Sequence, residues 1–246
     1  MHPSTISDLW HQVTGTQPFP STMVLLVCAG LACSAVLVRD VWMVARNVVT
    51  IAHEGGHALV ALLVGRRLDG IRLHSDTSGV TLSRGRATGP GMVATGLAGY
   101  LAPSLVGLVF AAMLAAGRIT ALLWISIALL AGMLVFVRNA YGVASILVTG
   151  LAVFAVSWFA PTPTQAVFAS FFTWFLLFAG VRPVVELQRK RRRGRARDSD
   201  ADQLARLTGV PGLLWVTLFG LVALAALALA GYWLLPLSDV PVPALR

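Results

Sequence analysis

The feature that most constrains this chain is a series of long apolar runs separated by short polar gaps. A helix of about 20 apolar residues is long enough to cross the hydrocarbon core of a bilayer. Only 12% of the residues are charged, about half the share found in soluble domains. The sequence therefore predicts an all-α polytopic membrane protein with six to seven transmembrane helices. The runs lie at residues 23–38, 41–64, 89–116, 119–137, 142–160, 165–181 and 212–235.

These runs define the predicted domain organisation. Residues 1–22 form an N-terminal tail, residues 23–235 a single integral-membrane domain, and residues 236–246 a C-terminal tail. Residues 68–86 carry β-branched and alternating residues around a Ser-Asp-Thr-Ser-Gly turn, which predicts a small β-hairpin at the membrane surface. Residues 182–211 form a basic loop before the last run.

The basic residues lie mainly in the gaps between apolar runs, where they indicate topology. If the 182–211 loop is cytoplasmic and seven spans alternate from it, fifteen of the 19 Lys and Arg residues lie inside. This excess follows the positive-inside rule. It predicts a multi-pass protein of the cell membrane with a cytoplasmic N-terminus, a cytoplasmic hairpin and an external C-terminus. The outside then holds Arg39, Arg118 and Arg246, with Arg46 just within a span.

The run of basic residues at 189–197 has two interpretations. In a soluble protein with a pI near 11.2, it would point to nucleic acid. In a membrane protein, the same run is a cytoplasmic flank that contacts anionic lipid headgroups. The second interpretation fits the apolar composition, and no nucleic-acid partner is expected.

The second apolar run contains the motif His53-Glu54-Gly55-Gly56-His57. On a helix, positions 53 and 57 project from one face and can share a metal ion, while Glu54 lies beside them. Glu54 is the only acidic residue well inside a predicted span, where a carboxylate costs several kcal/mol unless it is paired or near water or metal. The motif therefore predicts a catalytic zinc site, with His53 and His57 as ligands and Glu54 as the general base.

Three further residues are candidates for contact with a substrate. Gly55 and Gly56 leave space beside the metal for a peptide strand, or they serve simple helix packing. Asn139 follows the fourth run of the domain. It is positioned to hydrogen-bond a substrate strand or a zinc ligand, or else to cap a helix.

The residues from Ala52 to Leu59, the hairpin ending in Ser78-Gly79-Val80-Thr81 and the glycine-rich span start Gly96-Leu97-Ala98-Gly99-Tyr100 resemble the site-2 protease family of intramembrane zinc metalloproteases, in its compact bacterial branch. The resemblance covers residues 41–105 and 199–215. It implies one zinc ion per chain and hydrolysis of membrane protein substrates near the cytoplasmic face.

The sequence departs from that family at the third zinc ligand. Better-known members supply an Asp from an Asn-Pro…Asp-Gly motif, which is absent here, yet a catalytic zinc normally has three protein ligands. Most of the other acidic residues lie in tails, in the hairpin or beside arginines. Asp200 is the predicted third ligand and Asp202 the alternative, because Ser199 and Asp202 have the spacing of a helix capping box.

Two functions remain open on this evidence. In the first, zinc-activated water attacks a peptide bond and Glu54 acts as general base. In the second, the chain is a non-catalytic metalloprotease-like protein that binds or chaperones other membrane proteins. The intact Glu54 favours the first, and the missing Asn-Pro…Asp-Gly motif favours the second.

Overall fold

A computed structural model describes residues 6–194 and 198–235 of the chain. It is helical apart from one antiparallel hairpin, so the predicted all-α membrane fold with a small hairpin is confirmed. The helices are α1 (Ile6–Thr14), α2 (Thr22–Leu37), α3 (Arg39–Leu63), α4 (Pro90–Ala115), α5 (Ile119–Phe136), α6 (Ala140–Phe159), α7 (Thr162–Arg192), α8 (Asp200–Thr208) and α9 (Gly212–Leu234), and the strands are β1 (Arg67–Leu73) and β2 (Gly79–Arg84).

Five helices in the described ranges, α4, α5, α6, α7 and α9, are long and apolar enough to cross a membrane. The first two apolar runs of the sequence form α2 and α3, which meet at an angle of 101°. Val38 between them has an extended backbone conformation that breaks the helical path. Helices bent this sharply form a broken span or a re-entrant loop, and counted as one span they bring the number in the described ranges to six rather than seven.

Helix α2 runs parallel to α7. Cys28 of α2 contacts the backbone carbonyl of Val167 near the start of α7, whereas Trp42, just after the break, donates a hydrogen bond to Glu186 near its end. The broken span therefore begins at the end of the bundle where α7 begins. By Trp42, in the first turn of α3, the chain has already reached the level of Glu186 near the other end.

The segment before α2 lies at the end of the bundle opposite to the basic loop. The side-chain oxygen of Gln17 accepts hydrogen bonds from the backbone N–H groups of Ile119 and Thr120, and the backbone N–H of Gln17 donates to the Gly117 carbonyl. The shared side of the N-terminus and the 182–211 loop stays a prediction. It requires α2 and α3 to cross the membrane separately, whereas the bent pair can also be counted as one span.

Two arginines also lie elsewhere than the sequence predicted. Arg39 and Arg46 lie beside Arg189 and Lys190 at the α7 end of the bundle, not on the outer side or within a span as predicted. Among the described residues, Arg118 is then the only Lys or Arg at the N-terminal end. The positive-inside bias is stronger in the folded chain than in the sequence-based count.

Helix α4 lies at the centre of the bundle, where small residues let its neighbours approach closely. A side chain at Gly56 of α3 would collide with the methyl group of Ala102 and lie 2.8 Å from the Ala98 carbonyl oxygen. On the α7 side, Gly107 faces Leu177 and Gly180 faces Ser104. These contacts fix α3 and α7 against α4.

The hairpin packs against the middle of α3, around Thr50 and Glu54. Its β1 strand is paired on one edge with β2 and on the other with residues 137–139, where the Arg138 N–H donates to the Ile71 carbonyl. The hydroxyl of Thr50 donates a 2.8 Å hydrogen bond to the carbonyl of Thr77 in the hairpin turn. Within the described ranges, one edge of strand β2 has no pairing partner.

The two adjacent glycines of α3 give a matched test of this packing. We expect Gly56→Ala to lower the free energy of unfolding by about 1–3 kcal/mol, since the α4 backbone cannot retreat. Gly55→Ala meets only the flexible Met133 thioether, 3.0 Å away, and should be neutral or stabilising by up to about 1 kcal/mol. Thermal unfolding in detergent measures both. Equal effects of the two substitutions would contradict the α3–α4 contact.

The topology gives a second test. In a background with Cys28 and Cys33 changed to Ala, we expect His11→Cys and Arg192→Cys, both exposed positions, to react with a membrane-impermeant maleimide from opposite sides of the membrane. Labelling of intact cells, then of permeabilised cells, separates the two sides. Labelling of both cysteines from the same side would contradict the single broken span.

Candidate metal centre

The two motif histidines project from one face of α3, as their spacing predicts. Their Nε2 atoms lie 3.2 Å apart, and the ring planes are nearly perpendicular. The side chains of His53 and His57 remain 23% and 12% exposed. The pair is therefore largely, but not completely, enclosed by protein.

Asp200, the predicted third ligand, begins α8 and reaches the same point. Its Oδ2 atom lies 3.3 Å from Nε2 of His53 and 3.3 Å from Nε2 of His57. Ser199 caps the helix by accepting a hydrogen bond from the Asp202 N–H. A carboxylate in the first turn of a helix is favoured by the partial positive charge of that end. The start of α8 thus presents an oxygen ligand to the two imidazoles.

The three atoms have the separations expected of zinc ligands. A tetrahedral ion with bonds of about 2.0–2.1 Å holds its ligand atoms about 3.3 Å apart, and the three observed separations are 3.2, 3.3 and 3.3 Å. Gly99 of α4 borders this space: a Cβ there would lie 2.6 Å from Nε2 of His53 and even closer to Nε2 of His57. Donor set, spacing and clearance all fit a metal ion.

The surroundings of the two imidazoles orient them for this role. The Nδ1 atom of His57 lies 2.7 Å from the carbonyl oxygen of Thr95, so an Nδ1–H donates there and leaves Nε2 free to bind metal. The ring of His53 rests edge-on against Tyr100, which in turn stacks on Phe219 of α9. Three helices therefore hold the two rings in place.

Glu54 is 4% exposed and lies under the hairpin. The Thr81 hydroxyl of β2 donates a 2.7 Å hydrogen bond to Oε2 of Glu54. The other carboxylate oxygen, Oε1, accepts no hydrogen bond from the described part of the chain. A side chain at Gly79 would lie 2.6 Å from Oε1, so the glycine allows β2 to approach. The hairpin fixes one oxygen of the candidate base and leaves the other available.

The remaining predicted residues have structural contacts. Asn139 bonds the backbone of Leu73 through both its amide oxygen and its amide nitrogen, and it makes no side-chain cap at α6. Gly56 lies in the α3–α4 contact, and Gly55 faces Met133 of α5. The packing interpretation of the two glycines has a direct structural basis. Contact of Gly55, Gly56 or Asn139 with substrate stays a prediction.

The other candidate ligands lie away from the metal centre. Asp202 bonds Arg191 and the Ser199 hydroxyl, which agrees with its predicted capping duty. His74 is exposed in the hairpin turn beside Ser78. Within the described ranges, His53, His57 and Asp200 form the one cluster of ligand side chains that could hold a metal ion.

Sequence reasoning missed four supporting residues: Thr81, Thr95, Tyr100 and Arg191. The sequence placed Thr81 and Tyr100 only in segments that resemble a family, without a role, and gave no signal for Thr95. Arg191 was counted as one charge in a basic run, yet its ion pair with Asp202 ties the end of α7 to the start of α8. Each acts through a long-range contact that only folding creates.

Comparison with known proteins agrees with this arrangement. No curated protein and no solved structure matches the chain. The profile of the Peptidase M50B-like family matches residues 25–230, a range that contains all three candidate ligands and Glu54. The chain therefore belongs to the Peptidase M50B-like family, within the site-2 protease group that its motif and hairpin resemble.

Proposed function

We propose that this protein is an intramembrane zinc metallopeptidase that hydrolyses peptide bonds of membrane proteins. The observation that carries the proposal is the triangle of His53, His57 and Asp200, with mutual separations of 3.2–3.3 Å, directly beside the buried carboxylate of Glu54. Two imidazoles, a carboxylate and an adjacent free carboxylate oxygen are the donor set of a hydrolytic zinc site.

The residues of the chain divide the work of hydrolysis. His53, His57 and Asp200 would hold a zinc ion, which would supply the Lewis acid for activation of water and polarisation of the scissile carbonyl. Glu54 accepts the proton of the attacking water on Oε1 and delivers it to the leaving amine. Thr81 donates to Oε2 and so leaves Oε1 available for the proton.

The unpaired edge of β2 is suited to present the substrate. A transmembrane helix must unwind before its carbonyls can be attacked, and an extended peptide gains backbone hydrogen bonds by adding to a free strand edge. The exposed side chains of Val80 and Leu82 on β2 offer apolar contacts, and Thr81 between them touches Glu54. A peptide on this edge would therefore lie next to the base.

The position of the site along the bundle supports cleavage near the cytoplasmic face. Thr95 and Gly99, which contact the histidines, lie only about 8–14 Å from the start of α4 at Pro90. That end of the bundle carries all but one of the described Lys and Arg residues, which favours a cytoplasmic location. On this orientation both termini of the membrane domain are external, in a cell-membrane protein.

The alternative, a non-catalytic relative that binds membrane proteins, rested on the missing Asn-Pro…Asp-Gly motif. Asp200 supplies an oxygen at the distance that a third ligand requires, so that argument loses its force. The two functions still differ in one respect, because only a peptidase depends on the proton chemistry of Glu54.

Replacing Glu54 separates these functions. We expect Glu54→Gln to keep about one zinc per chain but to slow cleavage of membrane peptides by about 10²–10⁴-fold, the usual contribution of a general base. Zinc content by elemental analysis and hydrolysis of a quenched-fluorescence membrane peptide library measure the two properties. Asp40→Asn removes an exposed carboxylate from the same helix and serves as the control. Wild-type rates in Glu54→Gln would refute the peptidase proposal.

Replacement of either of two neighbouring aspartates, Asp200 and Asp202, tests which one is the third ligand. We expect Asp200→Ala to weaken zinc binding by more than the 10–100-fold typical of supporting residues, since it removes one of three donors. Asp202→Ala removes a capping contact and an ion pair but no donor, so its loss should be about tenfold or less. Competition with a chromogenic chelator measures both affinities. A larger loss in Asp202→Ala would reverse the assignment.

A further inference from the structure

A groove of about 320 Å³ lies between the start of α3 and the end of α7. Six cationic side chains line it together with one acidic side chain, that of Glu186. It is separate from the zinc triangle, and its assignment does not depend on proteolysis. The cations are Arg39, Arg46, Arg182, Arg189, Lys190 and Arg193.

Glu186 neutralises only part of this charge. It accepts a 3.0 Å hydrogen bond from Arg182, lies 3.7 Å from Arg46, and accepts a further bond from the Trp42 indole. The guanidinium of Arg182 also rests on the Trp42 ring, 4.6 Å from its centroid. Arg39, Arg189, Lys190 and Arg193 have no acidic partner among the described residues. The inner wall is thus fixed, and the rim carries uncompensated positive charge.

The groove lies at the depth of lipid headgroups. Arg182 follows the start of α7 by 20 residues, which corresponds to about 30 Å of helix, the thickness of the hydrocarbon core. The basic residues after it therefore lie at or just beyond the membrane surface. Phosphate groups of lipids occupy this level, and cationic clusters there attract anionic lipids.

Apolar surface adjoins the rim. Val41, Met43 and Val44, in the first turns of α3, are exposed hydrophobic residues next to Arg39, and Met43 itself lines the groove. Acyl chains attached to a phosphate would cover this surface, whereas a soluble anion would leave it bare. Charge and apolar surface together fit a molecule with both an anionic head and a hydrocarbon tail.

We propose that this groove is a binding site for one anionic phospholipid, with the phosphate held by Arg39, Lys190 and Arg193 and the acyl chains along the exposed start of α3. A phosphodiester offers acceptor oxygens to several cations at once, and guanidinium groups bind it in a paired geometry. The basic run of the sequence contributes through the particular residues that line the groove, not as a diffuse patch.

The test compares lipids on the purified full-length protein. Native mass spectrometry in detergent would follow binding of dioctanoyl-phosphatidylglycerol, dioctanoyl-phosphatidylcholine and inorganic phosphate. We expect the double variant Arg39→Gln/Arg193→Gln to bind the anionic lipid about 25-fold more weakly, because each basic residue at a membrane surface contributes about fivefold. Binding of phosphatidylcholine should be weaker than that of phosphatidylglycerol and unaffected by the substitutions.

A matched control removes the same charge outside the groove. Arg86 and Arg192 are exposed at the same end of the bundle and do not line the groove, so Arg86→Gln/Arg192→Gln should retain wild-type lipid binding. Zinc content and thermal unfolding report whether each variant is folded. If Arg39→Gln/Arg193→Gln fails to fold, Arg189→Gln/Lys190→Gln tests the same rim.

Several outcomes would overturn the proposal. Equal losses in the groove and control variants would indicate a diffuse charge effect, and equal binding of both lipids would exclude recognition of the anion. Inorganic phosphate that binds as tightly as the lipid would make this a soluble-anion site. Unchanged binding of phosphatidylglycerol by Arg39→Gln/Arg193→Gln would exclude the groove as the lipid site.

Discussion

The close approach of α3 and α4 is the constraint on which the candidate site depends. Gly56 removes a side chain where α3 touches Ala98 and Ala102, and Gly99 removes one where α4 faces His53 and His57. A Cβ at Gly99 would occupy the space that an ion needs, and a Cβ at Gly56 would push the histidines away from Asp200. Two small residues on facing helices thus determine both the packing of the bundle and the clearance of the metal centre.

A second constraint comes from the buried carboxylate of Glu54. An ionised group at this depth is stable only if it has hydrogen-bond donors or a nearby cation. The hydroxyl of Thr81 in the hairpin supplies a hydrogen-bond donor to Glu54. The nearby cluster of His53, His57 and Asp200 is where a bound cation would lie. The hairpin is itself anchored by Thr50 and by residues 137–139. An element of fewer than twenty residues therefore holds the carboxylate of Glu54 in place while it also exposes a strand edge.

The sequence predicted features that depend on the spacing of neighbouring residues, and it missed contacts between residues far apart in the chain. Positions 53 and 57 share a face in any helix. Asp200 could be selected as the candidate third ligand because the chain has only ten acidic residues. The 101° break at Val38 was not predictable, since two adjacent apolar runs have the same hydropathy whether they form two spans or one. The Thr95 contact with His57 and the Asn139 contact with Leu73 join segments 38 and 66 residues apart. No periodicity in the sequence encodes such pairs.

The broken span explains why the metal site and the basic groove lie on one helix. Because α2 ends at Leu37 and α3 turns sharply away from it after Val38, the first turns of α3 meet the basic end of α7 instead of continuing along the bundle. Arg39, Trp42 and Arg46 then face Glu186 and its neighbours, while the histidines two turns later reach α4. A straight continuation of α2 would have carried Arg46 about 36 Å from Thr22, past the end of the apolar part of the bundle. The bend therefore keeps the start of α3 beside the end of α7, while the rest of α3 packs against α4.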